Sequence, residues 1–402
     1  MIQITSMSHP TKAKIITRNV WVLSIVSMFT DVASEMLYPI MPVYLKSIGF
    51  SIIVIGILEG VAEAVAGLSK GYFGKLSDAK ARRVPFVQIG YALSAISKPM
   101  MAVFMHPLWI FFARSTDRLG KGIRTGARDA LLSDEATPAT KARVFGFHRA
   151  LDTLGAVLGP VLALVYLHYN PGAYATMFIL AFFPGLLAIV FTLLIRETKR
   201  VKTESVSKPG FWSFLRYWPE SPAQYRQLVG ALLVFTLFNS SDVFLLLKIK
   251  DAGQTDTTVI GIYIFYNLVY ALAAYPMGIL ADKFGMKRVF VAGMFLFAAV
   301  YAGMAFAEGW IAFAGLFFLY GVYAAATEGV AKAWITNLSD KAHTATAIGT
   351  YTAFQSICTM LASTFAGIIW YNFGAGWMFG LSACVAVVVA LFISRFKYQR
   401  PV

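Results

Sequence analysis

The chain has 402 residues, of which 58% are hydrophobic and only 14% charged, and its 35 Lys and Arg against 20 Asp and Glu leave a formal charge of +15. Soluble domains are nearer half apolar and a quarter charged, so this chain lacks the polar surface that a soluble core needs. The basic excess does not call for a nucleic-acid partner, because loop Lys and Arg set topology in a membrane chain.

Apolar runs of about 18–25 residues recur along the length, each long enough to cross a hydrocarbon layer of roughly 30 Å as a helix. Backbone groups within that layer must be satisfied internally, which leaves helices or closed barrels, and continuous rather than alternating runs exclude the barrel. The pattern predicts an all-α integral membrane chain of twelve spans. To within a few residues these are roughly 18–45, 51–76, 84–105, 108–131, 143–167, 174–195, 226–248, 257–281, 288–307, 310–336, 345–371 and 376–394.

Lys12, Lys14 and Arg18 lead into span 1, which is too long for a signal peptide and lacks a small-residue cleavage site, so it is expected to stay. Span 1 carries Asp31 and Glu35, four apart and on one helix face, and span 2 repeats that spacing with Glu59 and Glu63. Lys98 stands alone in span 3 and is read as a partner for a neighbouring carboxylate or as a snorkelling side chain. Span 4 holds Arg114, Asp117, Arg118, Lys121, Arg124 and Arg128, and span 5 holds His148, Arg149 and Asp152. His148 has no second histidine near it and reads as a cavity hydrogen-bonder, not a metal ligand.

Segment 196–225 is the one long polar linker, and it divides the chain into six-span halves, 1–195 and 226–402. Its aromatic stretch Phe211–Trp218 suits a short interfacial helix on the inner leaflet or an aromatic-anchored loop. The second half is sparser in charge, with Asp242, Glu328 and Lys332 beside Asn239, Tyr266, Asn267, Tyr270, Tyr320, Tyr323 and Gln355. Cys358 and Cys384 both fall in spans, which implies no disulfide framework.

Loop charge orients the map. One set of loops carries Lys75, Lys80, Arg82, Arg83, Lys141, Arg143, Lys283, Lys287, Arg288 and Lys341. The linker adds Arg196, Lys199, Arg200, Lys202, Lys208 and Arg216, and the tail adds Arg395, Lys397 and Arg400. The opposite loops offer only Lys46, Lys248 and Lys250, so both termini are expected on the cytoplasmic side of the plasma membrane.

An internal duplication is the most specific signal. GYFGKLSDAKARR (71–83) follows span 2 and GILADKFGMKR (278–288) follows span 8, with Asp78 and Asp282 204 positions apart, about half the chain. Both copies resemble the G-x-L-a-D-r-x-G-r-r signature of the major facilitator superfamily, although the first has Ala81 where the family has glycine. The resemblance implies two pseudo-symmetric six-helix bundles forming a secondary transporter, which is not an enzyme and needs no cofactor. Solute would bind between the bundles near the midplane, with alternating access by rocking. Spans 1, 2, 4, 5, 7, 8, 10 and 11 would line the cavity. The resemblance also implies a gate of Asp78, Arg82, Arg83, Asp129, Asp282 and Arg288. Arg82 and Arg83 are expected to pair with Asp129 or Asp134, and Asp282 and Arg288 to face Asp340. Gly56, Gly60, Gly67 and Gly71 form a narrow stripe that lets span 2 approach the other half.

GAVLGP at 155–160 resembles the G-x-x-x-G-P motif common in proton antiporters. DRLGKGIR (117–124) and FHRALD (147–152) resemble a bacterial branch associated with metal-chelate traffic, such as siderophores or nicotianamine-like metallophores. GKGIRT at 120–125 lacks the spacing of a phosphate loop, so gradients, not hydrolysis, must supply energy.

A charge at the centre of a span costs about 2.5–3.5 kcal/mol on insertion scales, so these residues must face one another or a wet cavity. One reading is a structural ion-pair network of Arg118, Arg149, Asp117 and Asp152. The sharper one makes Glu35, Tyr38, Glu63, Arg118, Lys121, Arg149, Asn239, Asp242, Tyr266, Asn267 and Gln355 a solute site, with Asp31, Glu35, Glu63 and Asp152 carrying a coupling proton. Guanidinium forks grip carboxylates in bidentate fashion, and burial near mid-span favours the protonated carboxyl that a proton carrier needs. Mixed signs favour a zwitterionic or multi-carboxylate solute, with a proton-driven antiporter of drugs or metabolites as the alternative. The expected partners are the lipid bilayer, a small solute and protons or another coupling ion, for a monomer with no metal site.

Overall fold

The computed structural model describes residues 15–38, 40–104, 106–197 and 209–396. Lys12, Lys14, Lys199, Arg200, Lys202, Lys208, Lys397 and Arg400 lie outside these residues, as does the packing around Gly56 and Glu59. The described residues form twelve helical spans in two six-helix bundles, with no strand among them.

Spans 1 to 6 are Arg18–Glu35 continued by Met41–Ser47, then Ile52–Ala79, Val84–Val103, Pro107–Asp134, Lys141–Tyr169, and Tyr174–Leu180 continued by Phe182–Thr192. Spans 7 to 12 are Ala223–Phe238 continued by Asp242–Asp251, then Asp256–Phe284, Met286–Phe306, Trp310–Asn337, Thr344–Phe373 and Ala375–Ser394. Helix starts follow side-chain chemistry: Thr17, Ser51 and Thr255 each accept a hydrogen bond from an otherwise unpaired first-turn N–H. Spans 5 to 12 are long and apolar enough to cross a membrane on length and composition alone. Span 4, with six charged residues between Arg114 and Arg128, is far more polar, and its insertion depends on turning those charges away from lipid.

The bundles meet along two seams, span 2 against span 11 and span 5 against span 8. A methyl group added at Gly146 or Gly278 would lie 2.5 Å from the carbonyl oxygen of Ala274 or Ala142, so backbone packs on backbone there. Gly74 packs equally tightly on the Ala345 carbonyl, and Gly349 on the Lys70 carbonyl. Of the predicted stripe, Gly67 and Gly71 take part, against Ser356 and Phe214, whereas Gly60 faces open space.

The linker's aromatic stretch is a 3-10 turn, Phe211–Arg216, continued by the helical turn Tyr217–Glu220. Phe211, Trp212 and Leu215 are exposed, as an interfacial segment requires, while Phe214 and Tyr217 are buried. Phe214 does not face a leaflet. Its ring covers Gly71 of span 2, and its carbonyl accepts from Thr350 of span 11 at 3.3 Å, so the linker plugs one seam.

Ala81 adopts φ 50°, and Gly285, 204 positions later, adopts φ 99°. The first signature loop therefore keeps a left-handed turn without its glycine. Ala81→Gly is expected to leave the thermal unfolding midpoint unchanged or raise it. Ala81→Val should destabilise by about 1–3 kcal/mol, since a branched side chain is strained at positive φ.

Candidate functional site

A cavity of about 590 Å³ lies between the bundles, within the usual size range of small-molecule sites. Every expected lining span contributes: Asp31 and Glu35 from span 1, Lys70 from span 2, Lys121 from span 4 and Arg149 and Asp152 from span 5. Asn239 and Asp242 come from span 7, Asn267 from span 8, Glu328 from span 10 and Gln355 from span 11. Phe290 of span 9 also reaches it, which the resemblance did not anticipate.

Span 7 breaks at this wall. Asn239 is extended, Ser240 and Ser241 follow, and the Ser241 hydroxyl caps the next helix by accepting from the Val243 N–H at 3.4 Å. All three line the cavity. Irregular backbone at membrane depth is tolerated only where it lines a polar space or packs in protein, so the break belongs to the site.

Ion pairs form the floor and bind the bundles together. Arg149 donates to Asp152 at 2.7 Å, pairs with Glu328 of the other half, and lies 5.9 Å from the Tyr270 ring centroid. Asp152 also accepts from Ser27. Lys332 of span 10 reaches Asp129 of span 4 at 2.8 Å, and Arg128 holds the other Asp129 oxygen at 2.9 Å. Asp242 accepts from Tyr320 at 2.7 Å. By contrast, Asp31, Glu35 and Lys121 line the cavity with no hydrogen bond or ion pair among the described residues.

Not every expected residue reaches the void. Tyr38 is 53% exposed and lies off the cavity wall. Tyr266 stands one layer back, stacked on Tyr320 at 5.0 Å between centroids. Glu63 and Arg118 lie outside the lining set but within electrostatic reach of Lys121. His148 is buried outside the cavity lining and makes no hydrogen bond through either ring nitrogen among the described residues, so the expectation of a cavity hydrogen-bonder is not met. Lys98 is neither snorkelling nor in the cavity: it pairs with Asp117 at 3.2 Å, and Arg114 approaches the same carboxylate at 3.7 Å. A purely structural network thus exists, but it sits behind the cavity between spans 3 and 4.

The gate expectations need correction on their partners. Arg83 pairs with Asp78 at 2.5 Å rather than with Asp129 or Asp134, and Arg82 is exposed. Asp78 and Asp282 instead each cap a helix of the opposite half. Asp78 accepts from the Thr346 N–H and hydroxyl, both at 2.6 Å. Asp282 accepts from the Ala142 and Arg143 N–H groups at 3.1 and 3.0 Å, with Arg143 as its ionic neighbour in place of Asp340. A carboxylate at a helix N-terminus meets both unpaired donors and the positive dipole end. The two contacts are symmetry mates, since 346 and 142 are separated by the same 204 positions as 282 and 78. Both contacts lie on the side of the bundles that bears the signature loops. Arg288 is exposed and has no part in this cap.

Sequence reading missed Lys70, Tyr263 and the Asn239–Ser241 break. Lys70 lies seven residues after Glu63, on the same helix face, and donates to Ser356 of the other half at 3.0 Å. Its nearness to the basic loop hid it among topology charges. The run NSSD at 239–242 is a helix-start signal inside an apolar stretch, and it could have revealed the break.

A family model for the Major Facilitator Superfamily matches residues 23–250 and 227–402. An uncharacterized MFS-type transporter of Methanocaldococcus jannaschii is 31% identical over 361 residues, covering 88% of this chain and 89% of the relative. A multidrug resistance protein of Dickeya zeae is 26% identical, with 76% of each chain covered. Among solved structures, that of the human organic anion transporter MFSD10 superposes with TM-score 0.80 at 15% identity, covering 94% of this chain and 99% of the other; it speaks to the fold alone.

Proposed function

The chain belongs to the major facilitator superfamily of membrane transporters, and we propose that it moves a small charged solute by proton-coupled alternating access. One observation carries this reading: a cavity between the bundles in which Asp31, Glu35 and Lys121 face the void with no hydrogen bond or ion pair among the described residues. Ionisable groups are expensive at membrane depth, and those that serve only structure are paired, as Asp117 and Asp129 are. The unpaired ones are left to meet a solute or a proton. In this scheme Lys121 and Arg149 meet an anionic group, and Asn239, Asn267 and Gln355 supply hydrogen bonds. Asp31 and Glu35 then take up or release the coupling proton.

With the basic loops and both termini on the cytoplasmic side, the closed seam faces inward and this is an outward-facing state. Asp78 and Asp282 would then act as the latch, and segment 196–225 as the tether between rocking halves. Metal-chelate cargo gains no support from the named relatives. The second reading, a proton-driven exporter of drugs or metabolites, is favoured by the multidrug resistance protein among them.

Purified protein in proteoliposomes under an imposed pH gradient tests the proposal. Wild type should accumulate carboxylate or zwitterionic probes. Glu35→Gln should abolish gradient-driven uptake while unfolding at the wild-type temperature. Uptake of neutral sugars alone, or full gradient-driven uptake by Glu35→Gln, would remove the charged-solute scheme or the proton carrier respectively.

A further inference from the structure

The cavity's two walls are chemically unlike. Five of its six cationic side chains come from the first bundle, Lys70, Lys121, Arg124, Arg128 and Arg149, and that wall contributes no aromatic ring. All six lining rings come from the second bundle: Phe235, Tyr263, Tyr270, Phe290, Tyr323 and Tyr351. Five of these rings are also buried in that bundle's core, and Tyr263 is the half-buried one among the six. A further aromatic layer lies behind them, with Phe297 on Tyr301 at 4.0 Å and Tyr320 bridging to Tyr323 at 5.3 Å. The lining rings border a void otherwise edged by charges and amides, where water is a poor partner for their apolar atoms.

Resting on the charged-solute reading, we infer that the substrate is a planar aromatic carboxylate. Its anionic group is held by the first bundle at Lys121 and Arg149, and its ring lies against Tyr263 and Tyr323 of the second. Such a ligand spans both walls at once. It also brings a carboxylate to Arg149, which holds Glu328 of the opposite bundle, so the carboxylate competes for one of the ion pairs that join the halves. An aliphatic acid would satisfy one wall only. A ring–ring contact is worth about 0.5–1.5 kcal/mol beyond area burial, roughly a 2- to 12-fold change in affinity.

The test is binding of 2-naphthoate, cyclohexanecarboxylate, adipate and 2-naphthalenemethanol to the purified full-length protein, by calorimetry and thermal shift. Naphthoate should bind at least about fivefold more tightly than cyclohexanecarboxylate. Tyr263→Leu and Tyr323→Leu should each weaken naphthoate by roughly 2- to 12-fold without changing cyclohexanecarboxylate, and the corresponding Phe variants should restore it. Equal affinity for planar and aliphatic acids, or equal losses for both in the Leu variants, overturns the aromatic inference and leaves the charged-solute reading standing. Binding of the neutral alcohol with none of naphthoate overturns the charged-solute reading, and with it this inference. Absence of binding by all three acids overturns both.

Discussion

Arg149→Ala is expected to reduce gradient-driven transport by about 10- to 150-fold, the equivalent of losing a charge-assisted hydrogen bond of roughly 1.5–3 kcal/mol. At Arg149 own-half and cross-half electrostatics meet, with buried Asp152 on one side and cavity-facing Glu328 on the other. Without it, Asp152 keeps its bond from Ser27 but loses its ionic partner, and the floor contact between spans 5 and 10 is gone. Two roles are separable by exchange. Arg149→Glu combined with Glu328→Arg restores a cross-half pair but moves the cation to the second bundle. If the pair serves only to close the floor, the exchange recovers transport. If Arg149 grips solute, the double variant closes yet transports no better than Arg149→Ala, which is the outcome expected here. Flux in proteoliposomes reads both, and unfolding temperature shows whether the fold survives.

The second large effect lies at the seam. Gly74→Ala should shift the equilibrium away from the closed signature-loop side by about 5- to 150-fold, because overpacking a tight contact costs roughly 1–3 kcal/mol. The added methyl meets the Ala345 carbonyl, which belongs to a helix and has no rotamer to change. Gly349→Ala should act alike through the Lys70 carbonyl, whereas Gly380→Ala, with open space around it, should do nothing. Spin labels at Lys80 and Ala342, one on each half beside the seal, report the result as a longer distance distribution in the seam variants. An unchanged distribution in both would mean that the glycines are not what holds the bundles closed.

The resemblance at 71–83 and 278–288 carried the reading further than composition could. It placed Asp78 in the gate, and the fold gives that carboxylate a helix N-terminus of the other half. It misassigned the arginines, because Arg83 turns back to Asp78 on its own loop, five residues away, instead of reaching span 4. Asp129, expected as that partner, goes to Lys332 of the opposite bundle. Such choices are invisible in one sequence: several basic residues lie near the inner ends of the spans, and an ångström of helix rotation decides among them. The cavity shows the same limit. Asp31, Glu35, Lys121 and Arg149 follow from their depth and face on lining spans, while Tyr38, past the helix end at Glu35, is outside the lining set.

Span number, span length, the two-half repeat and the all-helical class were written in the chain itself. Each depends on local quantities: a window's own transfer free energy, and backbone groups that must bond within their own helix. Tertiary structure alone decided which charges pair across the halves, and that cations and rings sit on opposite walls. Those outcomes turn on distances between residues some two hundred positions apart. Electrostatic and packing energies change steeply over a few ångströms, a scale that helix crossing and rotation set and residue order does not.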